Sequence, residues 1–198
     1  MSRTTNRRGD QGGPPRPLAP GGRRPPGDPA KVLLVDDRAD NLVALQAILQ
    51  GMPLTTVAVD SGEAALKQLL LDDFALILLD AHMPGMDGFE TAAHVKSRDR
   101  TRQIPIIFLT AADRDARLAL RGYAAGAVDY LTKPFDPWIL RAKVSVFVEM
   151  WTKNLQLQWQ AERVGQLEAA VEKALTALDH GDPVSAVDVL SAVADPAG

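Results

Sequence analysis

The sequence predicts an α/β fold: an open five-stranded parallel sheet in the order 2-1-3-4-5, doubly wound with helices on both faces and followed by an extended C-terminal helix. Three observations predict it. From Lys31 onward, short apolar runs alternate with segments of helical period. The runs at 32–35, 75–79 and 106–109 are continuous rather than alternating, as parallel strands buried on both faces require. The intervening segments place Leu42, Leu45, Ile48 and Leu49, or Ala65, Leu66, Leu69 and Leu70, on one helical face.

Residues 1–30 hold 13 Gly or Pro and six Arg, with only Met1 and Leu18 as sizeable apolar side chains, so burial cannot offset the entropy of ordering them. They are expected to form a disordered, solvated tail. "KVLLVDD" then reads as the first strand, and "ADNLVALQAILQ" as a helix opened by Asp40 or Asn41 and closed at Gly51. "LTTVAVD" is the second strand, with Ser61 opening the helix "SGEAALKQLLL". "FALILLD" and "DGFETAAHVKSR" form the third strand and helix. "IPIIFLTA" is followed by "RDARLALRGYAAG", which should end at Gly126. "AVDYL" and "DPWILRAKVSVFVEM" complete five strand-helix units.

Beyond Pro137 the helical pattern continues to about Leu178, far longer than a helix covering one strand needs. Val144, Val148, Trp151 and Leu155 form one short heptad seam, and Val164, Leu167, Val171, Ala174 and Leu178 form another. The two are out of phase, which predicts a break or stutter between them. A coiled coil, with a second copy or a partner helix along 144–178, is the favoured reading; a helix folded back on its own domain is the alternative. "HGDP" (180–183) ends the helix, and "VSAVDVLSAVA" can add one short amphipathic turn or two. The division expected is a tail at 1–30, a domain at 31–150, a helical extension at 151–180, and a short helix and tail at 181–198.

Composition excludes several functions. Cysteine is absent, which removes disulfides and thiolate metal sites. No apolar run approaches a membrane span and the tail lacks an apolar signal core, so a soluble, cytoplasmic protein is expected. The net charge of −3 divides into +4 over residues 1–30 and −7 elsewhere, and an acidic body argues against a nucleic-acid-binding core.

Ligands of open parallel sheets bind at the carboxyl ends of the strands, where strand order reverses. The first strand ends in Asp36-Asp37, the third in Asp80, the fourth in Thr110, and the fifth runs into Lys133. With the first and third strands adjacent, Asp36, Asp37 and Asp80 converge. Three neighbouring carboxylates need a cation, and an all-oxygen donor set selects a hard one, Mg²⁺ best. Lys133 and Thr110 can hold an anionic group close to Asp80, so the set has the makings of a phosphoryl site with a carboxylate nucleophile. His82, His94 and His180 are not paired at metal-ligand spacing. Walker A, GxGxxG, HExxH and Ser-His-Asp patterns are absent.

The motifs "VLLVDDRADNL", "LILLDAHMPGMDGFE", "PIIFLTA" and "GAVDYLTKPF", in that order, resemble the receiver domain of bacterial two-component response regulators over about residues 30–150. The resemblance implies a flavodoxin-like fold and a phosphoacceptor role for Asp80, served by a histidine kinase or phosphotransfer protein. It further implies Mg²⁺ binding by Asp36, Asp37, Asp80 and the His82 backbone carbonyl, phosphoryl contacts from Thr110 and Lys133, an aromatic switch at Tyr130, and a cis Lys133-Pro134 peptide. The chain would not be an enzyme beyond possible self-dephosphorylation. No DNA-binding domain is recognisable after about Met150, so the long helix is the expected outlet of the signal.

Two alternatives compete. One is a receiver-fold scaffold that does not use phosphorylation, against which the intact Asp36, Asp37, Asp80, Thr110 and Lys133 set counts. The other is a haloacid-dehalogenase-type phosphohydrolase, which wants a second acid two residues after the nucleophile, where this chain has His82.

Overall fold

The computed structural model describes residues 28–111 and 129–194. Five strands, β1 (Ala30–Val35), β2 (Leu54–Val59), β3 (Leu76–Asp80), β4 (Ile106–Ala111) and β5 (Asp129–Lys133), form one sheet in the order β2-β1-β3-β4-β5. Every pairing is parallel. The described helices are α1 (Ala39–Leu49), α2 (Gly62–Leu71), α3 (Gly88–Lys96), α4 (Pro137–Asp179) and α5 (Pro183–Ala194). The tail, Ala112, the segment "RDARLALRGYAAG" with Gly126, and the last four residues lie outside the described residues, apart from 28–30.

Burial follows the continuous apolar runs. Leu33, Leu34, Leu76, Leu78 and Leu79 are fully buried, because helices cover both faces of the central strands. One core lies under α1 and the first turns of α4, where Leu34, Leu45, Leu78, Leu109, Leu140 and Val144 pack together. The other lies under α2 and α3, where Phe89 tilts onto Phe108 with ring centroids 4.7 Å apart.

The expected cap at Ser61 is present: its hydroxyl accepts the Ala64 N–H at 3.4 Å. α1 differs, because its N-cap is Arg38 rather than Asp40 or Asn41. The Asn41 amide points back to Asp36 instead, and Asp40 lies within the first turn. Gly51 follows the end of α1 with φ +79°, a left-handed conformation that glycine takes without Cβ strain.

The C-terminal region corrects the seam reading. α4 is one unbroken helix, and Val144 and Val148 are buried in the domain's own core with Phe147 and Trp151 against it. The first seam is therefore the inner face of a helix docked on the sheet, and the phase difference marks two faces of one helix rather than a break. Arg141 reinforces the docking by donating to the carbonyls of Ile48 (2.6 Å) and Gln50 (3.0 Å) at the end of α1. Gly181, at φ +76°, then reverses the chain, and α5, a full helix rather than a turn or two, packs back on α4 with Ala170, Ala174 and Ala186 buried.

Candidate functional site

The register places the polar strand ends. Val35 lies opposite Leu79, so the next residue of the first strand, Asp36, comes beside Asp80 at the carboxyl edge. Thr110 is paired with Thr132, and Ala111 with Lys133, on the far side of Asp80. Asp36, Asp37 and Asp80 each present an oxygen within 4.8 Å of the others. Asp36 is fully buried, Asp80 nearly so, and Asp37 exposed.

Burial of so much negative charge is balanced locally. The Lys133 ammonium lies 2.7 Å from Asp36 Oδ2 and 3.1 Å from Asp80 Oδ1, bridging the two strand ends. Asp36 also accepts both its oxygens' bonds from the Asn41 amide, at 2.8 and 3.0 Å, and a third from the Arg38 N–H at 3.0 Å. Asp36 is thereby held from several sides. Burial pushes the Asp80 carboxyl above the usual carboxylate range; Lys133 and the His82 N–H pull the other way, and the negative charge of Asp36 adds to the rise.

The turn after Asp80 is built around glycine. A Cβ on Gly88 would sit 2.1 Å from the Asp80 carbonyl oxygen and 2.9 Å from Ala81 Cα, so the start of α3 approaches the end of β3 as closely as only glycine permits. Asp87 caps α3 by accepting the Glu90 N–H at 2.7 Å. Gly85, at φ +77°, completes the Met83-Pro84-Gly85 turn.

Lys133-Pro134 is cis. Thr110 is half-buried at the end of β4, and Tyr130 on β5 is exposed. His82, His94 and His180 are all exposed and, among the described residues, join no cluster of metal-ligating side chains. The sequence reading omitted Asn41 as a site residue, although an Asn five positions after a strand-end Asp, in the first turn of the following helix, is the available signal. It also omitted the close approach at Gly88.

The donor set fits a hard divalent ion: carboxylate oxygens, no soft ligand, and an electrostatic excess that a cation would relieve. Among the described residues no helix is long and apolar enough to cross a membrane.

Comparison with known proteins agrees with this geometry. Residues 32–145 match the family model described as the response regulator receiver domain. The chain is 40% identical to the response regulator PleD of Caulobacter vibrioides over 116 residues, covering 58% of this chain and 25% of PleD. It is 35% identical to the alkaline phosphatase synthesis transcriptional regulatory protein PhoP of Bacillus subtilis over 118 residues, covering 60% of this chain and 48% of PhoP. The chain thus spans between a quarter and a half of the length of these relatives. Among solved structures it is similar to the chemotaxis protein CheY4 of Vibrio cholerae, with a TM-score of 0.56 and 30% identity over 60% of this chain and 98% of that one. A Francisella response regulator receiver domain gives a TM-score of 0.56 and 26% identity over 61% and 98% of the two chains. With sheet order, rim chemistry and family model in agreement, the chain belongs to the response regulator receiver domain family.

Proposed function

We propose that the chain is a two-component response regulator that accepts a phosphoryl group on Asp80 from a histidine kinase or phosphotransfer protein, and passes the signal to α4. The observation that carries the reading is the Lys133 ammonium held between the carboxylates of Asp36 and Asp80 at the carboxyl edge of the sheet.

Asp80 attacks phosphorus through a carboxylate oxygen; the new O–P bond forms as the N–P bond of the donor phosphohistidine breaks, and the imidazole leaves with that electron pair and takes up a proton. Asp36, Asp37, Asp80 and the His82 carbonyl would hold Mg²⁺, which when bound supplies positive charge against the phosphoryl oxygens. Lys133 exchanges its carboxylate contacts for a phosphoryl oxygen, and Thr110 donates its hydroxyl to another. The displacement of Thr110 opens space for the exposed ring of Tyr130 to turn inward.

The route outward is short. Tyr130 and Lys133 lie on β5, and Asp129 of the same strand is ion-paired with Lys143 of α4. A shift of β5 therefore acts on the helix that extends away from the domain.

The test is to treat the full chain with Mg²⁺ and acetyl phosphate and follow intact mass. The expected result is a gain of one phosphoryl group in the wild type and none in Asp80→Asn. No gain in the wild type, or an equal gain in the variant, overturns the assignment.

A further inference from the structure

α4 carries a second apolar stripe that the domain does not use. Leu140, Val144 and Val148 face the core, whereas Val146, Met150, Leu157, Val164, Leu167, Val171 and Leu178 are between 43% and 61% exposed. At 100° per residue, Val146 lies 200° around the helix from Val144, so the two stripes are on opposite sides. The outer residues step by four and three along one heptad phase from Val146 to Leu178; Lys153 and Gln160 fill two of the remaining seam positions, and the third, Ala174, is already buried where α5 packs on α4. The stripe is roughly 48 Å long at 1.5 Å per residue. A surface helix covering its own domain needs one stripe; a sustained 3.5-residue period on the opposite face is the signature of a partner helix of similar length.

We propose that this outer stripe pairs in parallel, in register, with the same stripe of a second copy of the chain. The interface rests on the output half of the reading above, association through α4, and does not depend on phosphotransfer at Asp80.

Three features favour a second copy in that orientation. In a parallel pair the residue before each first seam position meets the partner residue five places on, which brings Arg163 of one chain to Glu168 of the other, opposite charges at a flanking position. Glu168 is exposed, and Arg163, which donates to the Val193 carbonyl of α5, has further guanidinium donors. Second, Gln160 meets its own copy only at zero register, where the two amides can bond reciprocally.

The third feature is the return helix. α5 runs antiparallel to α4, buries Ala186, and at 100° per residue directs Val187 and Leu190 to the same side of the hairpin as Val171 and Leu175. Leu175 is outside the seam but 59% exposed, at a flanking position that faces the partner's α5 in the parallel arrangement. Val187 and Leu190, 62% and 44% exposed, are what it would meet there. The off-seam apolar residues of both helices thus find each other across the same two-fold axis. The receiver domains lie on the outer sides of the pair, where α4's buried face points away from the seam.

Molar mass of the full chain in solution is the first measurement, with Val164→Asp/Val171→Asp as the seam variant. Both positions are exposed, so the receiver fold and its acetyl phosphate uptake remain as controls. The expected result is a wild-type dimer and a monomeric variant. A wild-type monomer across micromolar concentrations, or a variant that remains dimeric, overturns the proposal. Orientation is tested separately, because the chain has no cysteine: Val171→Cys should oxidise to a disulfide-linked dimer, while Glu172→Cys, directed away from the seam, should not. No cross-link at 171, or an equal one at 172, overturns the parallel register. Failure of phosphoryl uptake with the dimer intact would count against Asp80 alone, and a monomer that still takes up phosphoryl would count against the seam alone.

Discussion

Replacing Lys133 by Met tests whether one ammonium holds the acidic rim together. At an effective dielectric of about 20, an ion pair at 2.7 Å is worth about 6 kcal/mol of Coulomb energy and one at 3.1 Å about 5 kcal/mol. Desolvation of the lysine and the carboxylates cancels most of this, and removing one partner of a buried pair typically costs about 3–5 kcal/mol. Lys133 is partly exposed, and Asp80 can relieve its loss by taking up a proton, which reduces the expectation to about 2–3 kcal/mol. For a domain of this size that is a fall of about 8–12 °C in melting temperature at neutral pH. The sign with pH follows from Asp80. Its carboxyl is already raised by burial, and loss of Lys133 raises it further. A raised group costs stability above its folded-state pKa and ceases to do so once protonated, so the deficit should shrink on acidification through that pKa. Thermal melts in chelator, as a function of pH, measure both effects. Added Mg²⁺ should restore part of the loss. A melting temperature within about 2 °C of wild type at neutral pH, or a deficit that grows as pH falls, would refute the reasoning.

Asp80→Asn should melt higher than the wild type in chelator at neutral pH, because burial of the Asp80 charge disfavours the folded state there, and the gain should vanish as pH falls towards the ordinary carboxylate range. Gly88→Ala, whose Cβ meets backbone atoms that cannot move aside, should cost about 1–3 kcal/mol or more by denaturant unfolding, and slow acetyl phosphate uptake as α3 is pushed from Asp80. Leu140→Ala removes a fully buried side chain and should cost about 2–5 kcal/mol, whereas Leu157→Ala on the outer face should leave the receiver's own unfolding within about 0.5 kcal/mol.

The legible part of the site was the part carried by strand ends. Parallel strands deliver their terminal residues to one edge, so Asp36, Asp80, Thr110 and Lys133 can be placed together from chain order once the apolar runs are recognised. Ser61 was legible for a similar reason, since a cap is a local bond between neighbours in sequence. Asn41 was misread as a cap because its partner, Asp36, is reached only when the loop between β1 and α1 folds. Gly88 carried no sequence signal beyond its place in a turn, because its necessity comes from the distance between two elements.

The long helix shows the same division most plainly. Residue spacing alone determined that Pro137–Asp179 is helical, that it outlasts the domain, and that its apolar residues fall into two phases. Only the tertiary structure decided which phase faces inward: the sheet and α1 cover Val144 and Val148, and leave Val146, Met150 and the residues in step with them uncovered. Period is a property of one chain segment and can be read along it; the face that a helix buries depends on the direction from which the rest of the molecule approaches.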